Sequence, residues 1–250
     1  MGKRVFVLLV LSLLLTGCSQ GIPNQQSPPS VSQPIQTKSL VQQVKESTHY
    51  KLGIDCQVCH SLGGKEMISL NNPGWESCGS CHTNQYAMIK GTGIGEVPDF
   101  ISLKYRLGDK FTCYDCHLTD GTRHSFSVPG SSRADNDTSG LETKFDHKEF
   151  KTLLQTDKCA MCHIEPDATI DQLSRQREEI EQKLKSLRPI YDEWEAKVTS
   201  LDPADPQVKA FNEGRTYLTK VEADGSKGAH NYELALALLN KAIDKFSILK

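Results

Sequence analysis

Cys56-Gln57-Val58-Cys59-His60 decides how this chain is read, because the arrangement returns three times. It recurs as Cys78-Gly79-Ser80-Cys81-His82, Cys113-Tyr114-Asp115-Cys116-His117 and Cys159-Ala160-Met161-Cys162-His163. Two thiols three positions apart can reach the two vinyl groups on one edge of a haem and form thioethers. The histidine that follows then lies beneath the iron as its proximal ligand. Paired cysteines alone also suit disulfides, structural zinc or a redox-active dithiol, but none of these requires histidine at the fifth place. With 8 histidines among 250 residues, finding one there four times by accident has odds of about one in a million. The pattern predicts four covalent haem c groups, attached at Cys56, Cys59, Cys78, Cys81, Cys113, Cys116, Cys159 and Cys162. His60, His82, His117 and His163 are their predicted proximal ligands.

Haem also answers a puzzle of composition. Apolar residues make up 37% of the chain and aromatic residues 7%, a thin supply for an ordinary core. Four large apolar discs are expected to fill much of the interior. Between the motifs, Gly63-Gly64, Asn71-Asn72-Pro73-Gly74, Gly91 to Gly95 and Gly130 to Gly140 are loop signals. The first cysteines lie 22, 35 and 46 residues apart, so a motif repeats here and not a regular solenoid.

Four histidines remain: His49, His124, His147 and His230. Four irons need that number of further axial ligands if each is six-coordinate, so these four are the predicted distal ligands. Spacing does not say which serves which haem. Met161 lies inside the fourth attachment loop, and Met67 and Met88 are expected to pack against haem edges. A six-coordinate haem leaves no place for substrate, which predicts outer-sphere electron exchange tuned by axial ligands, burial and hydrogen bonds.

Thr112 to His117 with His124-Ser-Phe-Ser-Val-Pro129 resembles a segment of the ammonia-forming multihaem nitrite reductases. Phe145-Asp-His147-x-x-Phe150 ahead of Cys159 and the closing Gly228-Ala-His230-Asn231 are similar to other parts of them. The resemblance implies that His124, His147 and His230 are distal ligands, the last returned to an iron by long C-terminal helices. In that family the catalytic haem is attached through a motif ending in lysine, whereas every attachment here ends in histidine. The arrangement is also similar to tetrahaem cytochromes that polymerise into conducting filaments, where one distal histidine comes from the next subunit. If this chain forms such a filament, His49 is the expected donated ligand.

The ninth cysteine has a different setting. Lys3 and Arg4 precede an apolar run from Val5 to Leu15, and Leu15-Thr16-Gly17-Cys18 follows. That run is short for a membrane span and resembles a lipoprotein signal peptide over 1–17, with Cys18 lipidated. An ordinary cleaved signal peptide is the alternative. Residues 18–45, rich in Gln, Ser and Pro, read as a tether with a reach on the order of 30 Å. These features predict export, with the chain anchored on the outer side of the cytoplasmic membrane, in the periplasm or at the cell surface. Asn136-Asp-Thr138 is a possible glycosylation sequon.

Leu173, Ile180, Leu187, Trp194 and Leu201 recur at sevens, with Ile170, Leu184, Tyr191 and Val198 on the same stripe. This predicts a long helix bent near Pro189, a turn at Asp202 to Pro206, and helices over about 207–221 and 231–248. The stripe packs these helices on each other or serves a dimer or polymer interface. The expected fold is mainly α with extensive irregular loops: a haem-cored domain at 46–166, then a C-terminal helical hairpin or bundle at 167–250.

The expected function is electron transfer to redox partner proteins, as a membrane-anchored carrier or as a filament subunit. The alternative is a nitrite or hydroxylamine reductase with one open haem. A net charge of -2 gives no reason to expect nucleic acid.

Overall fold

The structure is a computed structural model and describes residues 39–61, 69–70, 75–108, 111–118, 131–133, 143–145, 147–155, 160 and 163–249. All of them fall within one compact unit spanning 38–250. Cys18, His124, Asn136, Cys159 and Cys162, together with Met67 and Met161, lie outside the described residues.

The fold is mainly helical. The first part carries short helices: α1 (Leu40–Glu46), α2 (Thr48–Lys51), α3 (Cys56–Cys59), α4 (Trp75–Gly79), α5 (Thr83–Lys90), α6 (Leu103–Leu107), α7 (Cys113–His117) and α8 (His147–Leu154). Two small antiparallel ladders accompany them. β1 (His60–Ser61) pairs with β2 (Ser69–Leu70), placing His60 opposite Leu70, and β3 (Ser131–Arg133) pairs with β4 (Thr143–Phe145). Three long helices close the chain: α9 (Pro166–Val198), α10 (Pro206–Asp224) and α11 (Tyr232–Phe246). Among the described residues no helix is long and apolar enough to cross a membrane.

The sequence stripe becomes the core of the helical end. Ile170, Ile180, Leu184, Leu187 and Trp194 are buried along α9, and all but the first join one cluster with α10 and α11. Leu201 is exposed, beyond the end of the helix. Pro189 lies on the exposed side, so α9 runs through it as one helix. Proline can start α10 because the first helical N–H needs no partner there, and Asp205 caps that helix by accepting from Gln207 N at 2.7 Å. Asn231 caps α11 by accepting from Leu234 N at 3.2 Å.

Phe211 is wholly buried and its ring lies 5.7 Å from Tyr191, 6.4 Å from Trp194 and 5.9 Å from Phe246. Leu218, Leu234, Leu238 and Leu239 are also fully buried. Each such side chain contributes about 1.5–3 kcal/mol by leaving water.

That outcome corrects one expectation. The interior of this end is built from side chains of the three long helices. Met88, expected against a haem edge, is fully buried in this same cluster together with Val97. The segment after α5 thereby docks on the C-terminal helices. Gly91 takes a left-handed φ of 74° there, with Phe100 O only 2.1 Å from where a Cβ would sit. Asn231 Nδ2 donates to Ile101 O at 3.2 Å, and Glu96 N donates to the Tyr217 hydroxyl at 3.2 Å.

Candidate functional site

The first and third attachment loops are each a single helical turn, which brings cysteines three apart onto one side, while the second runs off the end of α4, with Cys78 inside the helix and Cys81 just past it. The first is started by Asp55, whose carboxylate accepts from Gln57 N at 2.9 Å. The third is closed from within: Thr112 N donates to Asp115 Oδ2 at 2.5 Å, and Thr112 Oγ1 donates to the same oxygen at 3.0 Å. Asp115 is buried. None of the six described cysteines is in a disulfide.

The loops lie close to one another. Burial pushes the Cys59 thiol up, and Cys78, Cys81 and Cys56 add to the shift. Cys78 and Cys113 share a hydrogen bond across two loops. It draws the Cys78 thiol down to about 7 and pushes Cys113 up. Cys113 Sγ is also 4.0 Å from Trp75 O, so α4 and α7 meet at their first cysteines.

Two pairs of histidines come together. His49 Nε2 and His82 Nε2 are 3.5 Å apart, while their ring centres are 5.7 Å apart and tilted by 60°. The two nitrogens therefore lie between the rings and face each other. Two in-line imidazole–metal bonds of about 2.0 Å would need roughly 4 Å, about half an ångström more than is seen. The second pair is His117 and His230, with ring centres 6.3 Å apart and planes at 47°. A metal held between two imidazoles puts their ring centres roughly 6 Å apart, so this spacing fits as well.

His230 reaches this position from the loop joining α10 and α11. Gly225, Lys227 and Gly228 take left-handed φ values of 68°, 53° and 93°, folding the chain back beside α7. His230 Nδ1 is 2.6 Å from Asp224 Oδ1, and that carboxylate is 1% exposed. An ionised carboxylate only accepts, so Nδ1 donates in this contact, and Nε2 is the ring nitrogen that a metal would take. Gln85 Nε2 donates to Ala223 O at 2.9 Å and to Asp224 O at 3.2 Å, tying the loop to α5.

The remaining described histidines are His60, His147 and His163. His163 Nδ1 is 3.2 Å from Thr169 Oγ1, and His147 Nε2 is 3.3 Å from Ser174 Oγ, so both lean on α9. His60 begins β1.

The surroundings suit a large apolar group. Val58, inside the first motif, is 59% exposed, and Ile164, directly after His163, is 85% exposed. Leu52 and Tyr105 are likewise exposed. Large apolar side chains standing open beside attachment histidines are what a porphyrin face would cover. Among the described residues no three His, Cys, Asp or Glu side chains gather as a closed zinc site would need.

His49, nominated as a ligand donated to a neighbouring subunit in a filament, faces His82 of its own chain. The α1–α2 segment folds back in place of reaching outward. Sequence reading also missed Asp224 and Thr169, since no periodic pattern ties them to the histidines they contact. Asp115 could have been found, because Thr112-x-x-Asp115 ahead of a helical turn is a capping signal.

The family model described as cytochrome c3 matches residues 48–128, which contain the first three attachment motifs. Among solved structures, the outer cell wall cytochrome OcwA is similar with a TM-score of 0.53 and 25% identity, over 77% of this chain and 39% of that one. The chain thus spans about two fifths of the length of that protein. No curated protein matches it.

Proposed function

We propose that this multihaem c-type cytochrome is an exported electron carrier holding four haem c groups, each with histidine on both faces of its iron. The observation that carries the reading is the facing pair of Nε2 atoms on His49 and His82. A chain that presents two imidazoles to one point has arranged to close the metal position there, not to leave it open. His117 and His230 also come together, with ring centres 6.3 Å apart. Haem supplies one-electron chemistry at the porphyrin edge, with a potential set by its axial ligands and their hydrogen bonds. The residues of this chain fix those ligands and the spacing of the three described attachment loops.

Attachment at the remaining motif, through Cys159 and Cys162 with His163, is part of the same proposal, as are His124 and His147 in distal roles. Two of the reading's details come from the sequence alone: export through residues 1–17, and a lipid anchor on Cys18 followed by a tether. The similarity to a cytochrome of the outer cell wall supports a place outside the cytoplasm. A discrete carrier is favoured over a filament subunit because His49 is engaged within its own chain.

The rival is a nitrite or hydroxylamine reductase, which needs a vacant iron. Carbon monoxide distinguishes the two. The intact reduced protein should bind none rapidly, and its ferric electron spin resonance spectrum should be low-spin throughout. Rapid binding at one equivalent per chain, with a matching high-spin signal, would overturn the carrier reading. Electron micrographs showing ordered polymers of the purified protein would replace the carrier with the filament.

A further inference from the structure

Histidines that bind a metal usually hand their other ring proton to a partner, and that partner sets how strongly the imidazole donates. Two such partners are visible, and they differ in kind. His163 Nδ1 meets a neutral hydroxyl, Thr169 Oγ1, at 3.2 Å. His230 Nδ1 meets a carboxylate, Asp224 Oδ1, at 2.6 Å. The second is charge-assisted, shorter and stronger, and it lies out of water: the Asp224 side chain is 1% exposed and that of His230 is 17% exposed.

The carboxylate is itself held. Its other oxygen accepts a short hydrogen bond from Ser226 Oγ and a longer one from Ser226 N at 3.3 Å. Ser226 Oγ in turn accepts from His230 N at 3.2 Å. The Asp224 main-chain carbonyl is occupied by Gln85. Asp224 closes the last turn of α10, and Gly225 leaves that helix at a left-handed φ of 68°. Backbone, serine and glutamine therefore fix the acid before any ligand is present, and the acid fixes the ring.

We propose that Asp224 is a positioning residue that lowers the reduction potential of the haem attached at Cys113 and Cys116, by holding the Nδ1 proton of its axial ligand His230. The inference rests on the reading of His230 as the ligand opposite His117. A carboxylate drawing on Nδ1–H makes Nε2 a stronger donor, and a stronger donor favours ferric over ferrous iron. Thr169, a neutral partner, gives His163 less of this push. Two haems of identical ligand type are thereby set apart by their second neighbours.

The test is a spectroelectrochemical titration of the full haem-loaded protein, followed by electron spin resonance. Asp224→Asn keeps the shape and an acceptor but removes the charge. One midpoint should move upward, the g-values of one ferric signal should change with it, and the other haems should stay put. Thr169→Val should move a different haem. If Asp224→Asn does not accumulate with its haems, Ser226→Ala decides. It keeps the acid and removes one of its donors, so the same single midpoint should move downward.

Unchanged midpoints in these variants, or a uniform movement of all of them, would overturn the proposal. His230→Ala separates this failure from failure of the ligand reading. A new high-spin signal of one-haem intensity, with Asp224→Asn silent, sinks only the role of Asp224. No new signal in His230→Ala removes the ligand assignment and the proposal with it.

Discussion

His49 and His82 point their Nε2 atoms at each other across 3.5 Å, although 33 positions of sequence separate them. Ser47 arranges the approach. It starts α2 by accepting from Tyr50 N at 3.3 Å, and its own hydroxyl donates back to Val44 O at 2.7 Å. The turn between α1 and α2 aims His49 inward at the second attachment loop. His49→Ala should therefore leave the number of attached haems unchanged by pyridine haemochrome assay. One ferric haem should turn high-spin and, when reduced, bind carbon monoxide. The proposed pairing places both ligands in one chain, so the low-spin state of the parent protein should not depend on protein concentration. Dilution that generates the high-spin signal would point to a ligand shared between molecules.

The CxxCH motifs stand out in the sequence because covalent attachment demands a fixed spacing, and the cytochrome c3 family model matches the stretch that holds the first three of them. The C-terminal helices were legible from the seven-residue recurrence of Ile180, Leu187 and Trp194, all buried in the structure. The pairing of histidines was not legible. It depends on where α2 and the loop after Asp224 return in space, and neither is encoded by local spacing. Met88 shows the same limit from the other side. Its type suits a haem edge and a protein core equally, and the docking of α5 on α10 decided for the core.

Asp115 lies between the two attachment cysteines of the third loop, yet its carboxylate turns back to Thr112. It satisfies a backbone N–H that the start of α7 would otherwise leave without a partner, a contribution of about 0.5–2 kcal/mol for caps of this kind. Asp115→Ala should lower the denaturation midpoint of the haem-loaded protein by that order and reduce the yield of fully attached chains. Glu at this position, which also suits a capping box, should recover part of both. Denaturant titration and the haem-to-protein ratio are the readouts.

Glu96 bridges the segment after α5 to the last helix, 3.0 Å from Lys245 and 3.2 Å from Lys241. Those ammonium groups hold its carboxyl below the usual range, Lys245 foremost, and Lys245 is held up in turn by Glu213 and Glu96. A depressed carboxyl pKa stabilises the fold above the unfolded value of about 4.3, and that contribution is lost as pH falls through the lower folded value. Glu96→Gln should reduce stability at neutral pH and differ little from the parent in acid. The groups are solvated, so the difference should also shrink in high salt. Melting curves from acid to neutral pH at two salt concentrations test this.

Gly214 sits in α10 under the ring of Phe246, whose nearest carbon would be 2.3 Å from an added Cβ. Two effects of Gly214→Ala oppose each other. Replacing glycine within a helix gains about 1 kcal/mol, while forcing a methyl into a packed core costs about 1–3 kcal/mol. The cost should win, because Phe246 is 2% exposed and stacked on Phe211, itself fully buried. The ring has nowhere to turn. A lower melting temperature with an unaltered haem spectrum is expected, since α10 and α11 meet here in a core made of side chains. Phe246→Leu alone should also destabilise, by leaving a void. Together the two changes should cost less than their sum, as neighbours sharing one space do. Strict additivity in a double-mutant cycle would mean that the methyl and the ring do not compete.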